Sequence, residues 1–298
     1  DDKTTHPGLT DEIVDFYNFS SQTKLTDEEK EWIVLGSINE DTPPRWINHF
    51  YDPIYNEGWK AENLGNVSPL TLSIFSKTLL NINTETVSSK NWAHNEALQA
   101  KYANYWGNRT WENAIRRYVA GDKMFAYQTL GDILHILEDA TVPDHTRNDT
   151  HAHEGTLVTQ DGGSPYEDYG KYFTRTNLHI AEDLKKEDKQ PIVLNSLDAY
   201  FDSLANYSNR YFFSENTINS EKYSEPKILR EDNNYGYGID KENIEFPLFR
   251  IKRVYNKEKF KIETIYSLND GSSNNQVLPA YFSRLSREAV LNGAGVIE

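Results

Sequence analysis

The sequence predicts a mainly α fold with a small β-hairpin near the C-terminus. Three observations carry this expectation. Apolar residues recur at helical spacing through most of residues 10–214, punctuated by capping and proline signals. Residues 249–266 alternate with a period of two instead. Cysteine is absent, so disulfides and thiolate zinc fingers are excluded.

Each element has its own signal. Thr10, with Asp11 and Glu12 behind it, is placed to start a helix through Ile13, Phe16 and Tyr17. Thr26 and Glu29 form a capping box that opens a helix carrying Trp32, Ile33 and Leu35. Residues 69–82, 91–104, 109–120 and 122–140 read as further helices. The last of these has Met124, Tyr127, Leu130, Leu134 and Leu137 in a stripe that packs it into the core. Pro143 should stop it, because proline lacks an N–H donor and clashes with the preceding turn. Residues 166–186 and 196–214 continue the helices, and the polar, Asn-rich 215–245 reads as loop.

Phe249, Ile251, Arg253 and Tyr255 then alternate with Arg250, Lys252 and Val254. After Asn256-Lys257-Glu258-Lys259, the residues Phe260, Ile262, Thr264 and Tyr266 alternate with Lys261, Glu263 and Ile265, which completes a hairpin. Residues 269–276 form a loop, and Pro279 opens a final helix through Phe282, Leu285 and Ala289. There is no internal repeat. The expectation is one domain over 1–298, with 215–276 as a loop and β-hairpin insertion whose favoured reading is a structural flap.

Composition narrows the function. A net charge of −15 argues against binding duplex nucleic acid, whose phosphates need a basic stripe. No run of about 18 apolar residues is present to span a membrane. No signal peptide is visible, and a processed chain that is secreted or held at the cell surface is expected, as a monomer.

The most informative stretch is 131–153, which holds four of the eight histidines. His135 and Asp139 are four apart and project from one helix face. His145 is expected on the loop just beyond the helix end, with His151 and His153 further along. Without cysteine, histidine and carboxylate are the strong zinc ligands left to the chain, and an open coordination position makes such a site catalytic. A second cluster lies at 36–53, where Asp41 and His49 flank a turn made by Pro43 and Pro44.

These two stretches resemble the bacterial zinc-dependent phospholipases C, whose fold and metal cluster are shared with the fungal single-strand nucleases. The run His49-Phe50-Tyr51-Asp52-Pro53 matches the family motif residue for residue. Gly36 followed by Asp41 matches its upstream glycine and ligand aspartate, although the loop to His49 is shorter here. Leu130-Gly131, His135, Asp139, Pro143 and His145 match the central helix motif with its spacing, and Tyr166-Glu167 match its end. Ala294-Gly295-Val296-Ile297 is a fainter match.

The resemblance implies a multi-helix phospholipase C-like domain and two or three zinc ions. Asp41, His49, His135 and Asp139 would hold one zinc. His145 and Glu167 would hold a second, and His6 would help hold a third. The family has a histidine four residues before its ligand glutamate, where this chain has Gly163. His151 or His153 would then supply that nitrogen; His151 is favoured, with Asp149 placed to orient it. The family also begins with a chelating tryptophan, where this chain begins Asp1-Asp2.

The implied chemistry is attack of a metal-activated water on a phosphodiester, with phospholipid headgroups as substrate and transient contact with a membrane surface. Asp41 is implied as general base, or as a ligand alone. A choline-type headgroup needs a carboxylate or an aromatic cage, and Tyr51 and Tyr55 are candidates for it. Two other readings stay open: a nuclease or nucleotidase on the same metal core, and a non-catalytic module in which zinc only fixes the fold.

Overall fold

A computed structural model describes residues 4–60, 86–150, 163–257, 259–269 and 271–298. The expected helix at 69–82 lies outside the described residues. Eleven helices and a four-stranded antiparallel sheet near the C-terminus make up the described chain, so the mainly α expectation holds.

The first helix, α1, spans Thr5–Ser20. It starts five residues before Thr10, the expected starting point. Pro7 and Gly8 read as breakers in the sequence, yet proline is tolerated in a first helical turn, where its missing N–H has no partner to lose. Thr10 is therefore not a cap; its hydroxyl donates to Glu138 at 2.8 Å. Helix α2 spans Asp27–Glu40 and has the expected capping box between Thr26 and Glu29.

The expected helix at 91–104 is broken into α3 (Ser89–Trp92), α4 (Glu96–Gln99) and a 3-10 turn at Ala100–Tyr102. Asn95 interrupts it by capping α4, its side chain accepting from the Leu98 N–H. Then come α5 (Trp111–Val119) and the central helix α6 (Lys123–Asp139). Pro143 follows α6 as expected, but it also opens a one-turn helix, α7 (Pro143–Thr146). The expected 166–186 helix is two pieces, α8 (Pro165–Gly170) and α9 (Ile180–Lys186), followed by α10 (Leu197–Tyr211) and α11 (Val277–Ile297).

Residues 215–245 are not all loop. They contain a 3-10 turn at Glu215–Thr217 and two strands, β1 (Arg230–Glu231) and β2 (Tyr235–Ile239). With β3 (Glu245–Asn256) and β4 (Lys261–Ser267) they form a sheet in the order β1-β2-β3-β4. The sequence pattern does not mark these strands: β1 is two residues long, and β2, Tyr-Gly-Tyr-Gly-Ile, carries glycines that weaken a strand pattern.

Helix α11 joins the two apolar cores. Val290 and Ala294 pack with Ile13, Phe16, Ile33, Leu134 and Phe201 among the helices. Tyr281 and Leu285 pack with Phe212, Phe246, Leu248 and Phe249 against the sheet. The Tyr281 hydroxyl donates to the Leu248 carbonyl at 2.7 Å and accepts from the Phe213 N–H at 3.1 Å, tying sheet to helix.

The contact that positions the site is the crossing of α2 over α6. A Cβ on Gly36 would lie 1.8 Å from the Gln128 carbonyl oxygen, and one on Gly131 would lie 1.8 Å from that of Ile33. Both glycines are there because the two backbones meet where no side chain fits. Gly131→Ala is therefore expected to destabilise the fold by about 1–3 kcal/mol or more, as an overpacked contact between backbones that cannot yield. Equilibrium denaturation against the wild type measures this; unchanged stability would show that the helices separate freely.

Candidate metal centre

Six elements deliver side chains to one buried point. Helix α6 presents His135, Glu138 and Asp139 from its last turns, all buried. Gly131 lies one turn before His135 on the same face, so the crossing that needs the glycine also sets His135 against α2. There its Nδ1 donates to the Ser37 carbonyl at 2.6 Å. In the neutral ring this leaves Nε2 as a bare lone pair aimed away from α2.

Helix α2 ends at Glu40, with Asp41 as its C-terminal cap. A 3-10 turn, Arg45–Asn48, then returns the chain to His49. The first turn of α1 supplies His6. Helix α7 supplies His145, which was expected on a loop; the helical turn started by Pro143 fixes its direction. Helix α8 supplies Glu167, two residues inside a start fixed by Pro165 and by Ser164, whose hydroxyl accepts from the Glu167 N–H.

Asp139 is the centre of the cluster. Its Oδ1 faces His6 Nε2 at 3.4 Å and His145 Nδ1 at 3.3 Å. Its Oδ2 faces His49 Nδ1 at 2.8 Å and His135 Nε2 at 3.4 Å. The other nitrogen of His145 lies 3.2 Å from Glu167 Oε1. Donor atoms of Asp41, His49 and His135 lie within 4.8 Å of one another, as do those of His6, His135 and Asp139.

These residues fit a metal better than they fit one another. His135 Nε2 is buried and makes no hydrogen bond, although Asp139 Oδ2 lies 3.4 Å away. Orphaned buried polar atoms are costly. Two donors on one tetrahedral zinc, with bonds of about 2.1 Å, sit roughly 3.4 Å apart, so the spacing is that of neighbouring ligands.

The electrostatics are those of a desolvated charge cluster. Burial by itself would raise Asp139, yet the surrounding imidazoles of His145, His49, His135 and His6 hold it well below the usual carboxylate range. Burial likewise opposes ionisation of Asp41, and again the nearby histidines, His135 first, bring it below its ordinary value. Burial pulls His6 down to about 3, and the proximity of His135 adds to this. His49 goes the other way: burial would lower it, but Asp139 and Glu40 push it up to about 10.

Two carboxylates behind the cluster were not singled out in the sequence. Glu138 Oε2 lies 2.7 Å from His6 Nδ1 and its other oxygen accepts from Thr10, while burial pushes its carboxyl well above the usual range. Glu40 Oε1 lies 3.6 Å from His49 Nε2. Glu40 accepts from Arg45 Nε at 2.8 Å and Trp92 Nε1 at 2.7 Å. Burial opposes its ionisation, but Arg45 and His49 bring it down to about 2. Each sits beside a ligand candidate in sequence, Glu138 before Asp139 and Glu40 before Asp41, and that adjacency is the one signal that marked them.

The His49–Pro53 run divides its labour. Phe50 stacks on His145 with ring centroids 4.5 Å apart. The Tyr51 N–H donates to the His145 carbonyl at 3.2 Å. Asp52 accepts from the Ile54 N–H and the Tyr223 hydroxyl, which makes it a turn-holding residue. Tyr51 does not line a cage: it is buried, and its hydroxyl donates to Asp202 at 2.6 Å. Tyr55 is exposed and packs edge-on against Tyr223.

Of the eight expected ligands, His6, Asp41, His49, His135, Asp139, His145 and Glu167 are therefore gathered together. His151, like His153, lies outside the described residues. Gly163 has a φ of +76°, a left-handed conformation that histidine rarely adopts. Asp149, expected to orient His151, accepts from both the backbone and side-chain N–H groups of Asn216.

No protein-family model matches this chain. No curated protein matches it in sequence. Among solved structures it is similar to the alpha toxin from Clostridium absonum, with 14% identity, 93% of this chain and 84% of that chain covered, and a TM-score of 0.34.

Two sets of variants test the centre. Asp139→Asn keeps the shape and removes the charge that four imidazoles surround, so it is expected to abolish metal binding; Glu138→Gln should weaken it by about 10–100-fold by loosening His6. Zinc content by elemental analysis reads both, and full zinc in Asp139→Asn would make the residue a buried hydrogen-bond acceptor only. His151→Ala is expected to lower zinc content more than His153→Ala, and the reverse order would move that assignment to His153.

Proposed function

We propose that this chain is a zinc-dependent phosphodiester hydrolase that acts as a phospholipase C on phospholipid headgroups. The observation that supports it is Asp139 with four imidazole nitrogens around its two oxygens, plus Asp41 and Glu167 nearby. A closed structural zinc site uses four ligands, and this cluster offers more. The match of His49-Phe50-Tyr51-Asp52-Pro53 to the phospholipase motif favours a lipid headgroup over a nucleic acid, as does the net charge of −15.

Asp41, His49, His135 and Asp139 would hold one ion, His145, Glu167 and His151 a second, and His6 would help hold a third. Bound zinc would supply Lewis acidity toward a phosphoryl oxygen and lower the pKa of water toward neutrality. The chain's own residues orient and move protons. The Ser37 carbonyl and Glu138 hold the His135 and His6 rings in place, and Phe50 holds the ring of His145 from its face. Asp41, which nearby histidines bring below its ordinary value against the opposing effect of burial, is the carboxylate assigned in this reading to take the proton of an attacking water. A single domain over 1–298, acting as a monomer in a secreted or cell-surface setting, goes with this reading.

The deciding measurement is zinc content together with hydrolysis of a water-soluble phosphodiester, before and after chelation. Two or three zinc ions per chain are expected, with activity lost to the chelator and restored by zinc. Fewer than one tightly bound zinc, or a fully loaded chain that hydrolyses no phosphodiester, would overturn the proposal.

A further inference from the structure

The sheet near the C-terminus does two different things along its length. Up to Ile251, strand β3 is built into the core: Phe246, Leu248, Phe249 and Ile251 are buried against α11 and its neighbours. Strand β2 pairs with β3 only as far as Arg250. Beyond that point β3 pairs with β4 alone, from Ile251↔Tyr266 out to Asn256↔Lys261. The outer part is thus a two-stranded ribbon that projects roughly 17 Å past the sheet, at about 3.3 Å per residue.

Both faces of this ribbon are in water. Tyr255 and Ile262 form a cross-strand pair on one face, and Val254 and Ile265 lie on the other; all four are exposed. Phe260 at the tip is 82% exposed and Ile262 is 67% exposed. An isolated two-stranded ribbon is marginal in water, and exposed apolar strands invite association. Phe260 also has a φ of +51°, where glycine or asparagine is favoured.

The charge of the ribbon is opposite to that of the chain. Residues 251–267 contain five cations, Lys252, Arg253, Lys257, Lys259 and Lys261, against two carboxylates, Glu258 and Glu263, a net +3 in a chain of −15. Lysines 257, 259 and 261 flank the apolar tip in sequence. We propose that this ribbon, residues 252–265, docks the protein on an anionic phospholipid surface, with Phe260 and Ile262 entering the interface and the lysines meeting lipid phosphates. A convex, apolar tip with cations beside it suits a bilayer, which deforms around a projection, whereas an acidic protein would need a matching groove. The docking needs no hydrolysis and is scored without it, so it stands or falls separately from the hydrolase reading.

The test is co-sedimentation of the full chain with vesicles of phosphatidylcholine, with and without phosphatidylserine, at low and high salt. Binding is expected to require phosphatidylserine and to weaken at high salt. The double variant Phe260→Ser, Ile262→Ser should bind at least tenfold more weakly, while Val119→Ser, at an 81% exposed position elsewhere, should bind as the wild type does. Lys257→Ala, beside the tip, should cost about fivefold, the effect of one cation near such a surface. Unchanged far-UV circular dichroism and an unchanged thermal unfolding midpoint would show that the variants are folded. Wild-type binding to neutral vesicles alone, no vesicle binding, or equal binding by the double variant would overturn the proposal. So would a change of oligomeric state in the double variant with vesicle binding intact, which would assign the ribbon to a protein contact.

Discussion

The approach of α2 to α6 through Gly36 and Gly131 is the constraint on which the rest of the site depends. Each glycine lies against a carbonyl oxygen of the other helix at a distance no Cβ tolerates. Because the backbones are that close, the Ser37 carbonyl reaches His135 Nδ1 and fixes the ring. For the same reason the C-terminal end of α2, with Glu40 and Asp41, arrives beside the last turn of α6, with Glu138 and Asp139. A wider crossing would take Asp41 and His49 away from His135 and Asp139, leaving His6, His145 and Glu167 beside them.

What the crossing assembles is electrostatically expensive. Several ionisable side chains are taken out of water together, and a buried charge without a partner is not tolerated. The chain meets this in layers. Asp139 is surrounded by imidazoles, and the imidazoles are backed by Glu138, Glu40 and a backbone carbonyl. Glu40 is in turn held by the fully buried Arg45 and by Trp92. His135 Nε2, buried without a hydrogen bond 3.4 Å from Asp139 Oδ2, points to the place where a cation would complete the balance.

Much of this was legible in the sequence where short-range chemistry decides. The Thr26 capping box, the stop near Pro143 and the period-two alternation of 249–266 each correspond to an observed feature, because caps, prolines and pleats act over a few residues. Less legible were breaks and starts that depend on competing signals. Pro7 and Gly8 hid the first turn of α1, Asn95 split a helix that apolar spacing joined, and glycines in β2 hid a strand. His145 was expected on a loop because Pro143 reads as a stop, whereas proline at a first helical position also begins a helix.

The sequence by itself determined the donor chemistry. With no cysteine and with histidines and carboxylates clustered at 36–53 and 131–153, imidazole and carboxylate oxygen were the available ligands, and their spacing along α6 set two of them on one face. Only the tertiary structure decided which acids stand at the centre and which behind it. Glu138 and Asp139 are neighbours in the chain, yet a helix turns each residue about 100° from the last, so one faces the histidine cluster and the other reaches around His6. It also decided that Tyr51 packs inward and binds Asp202, and that Val254, Tyr255, Phe260, Ile262 and Ile265 of the outer hairpin are exposed. Side-chain direction and burial are set by what lies across the gap, and that partner is distant in sequence.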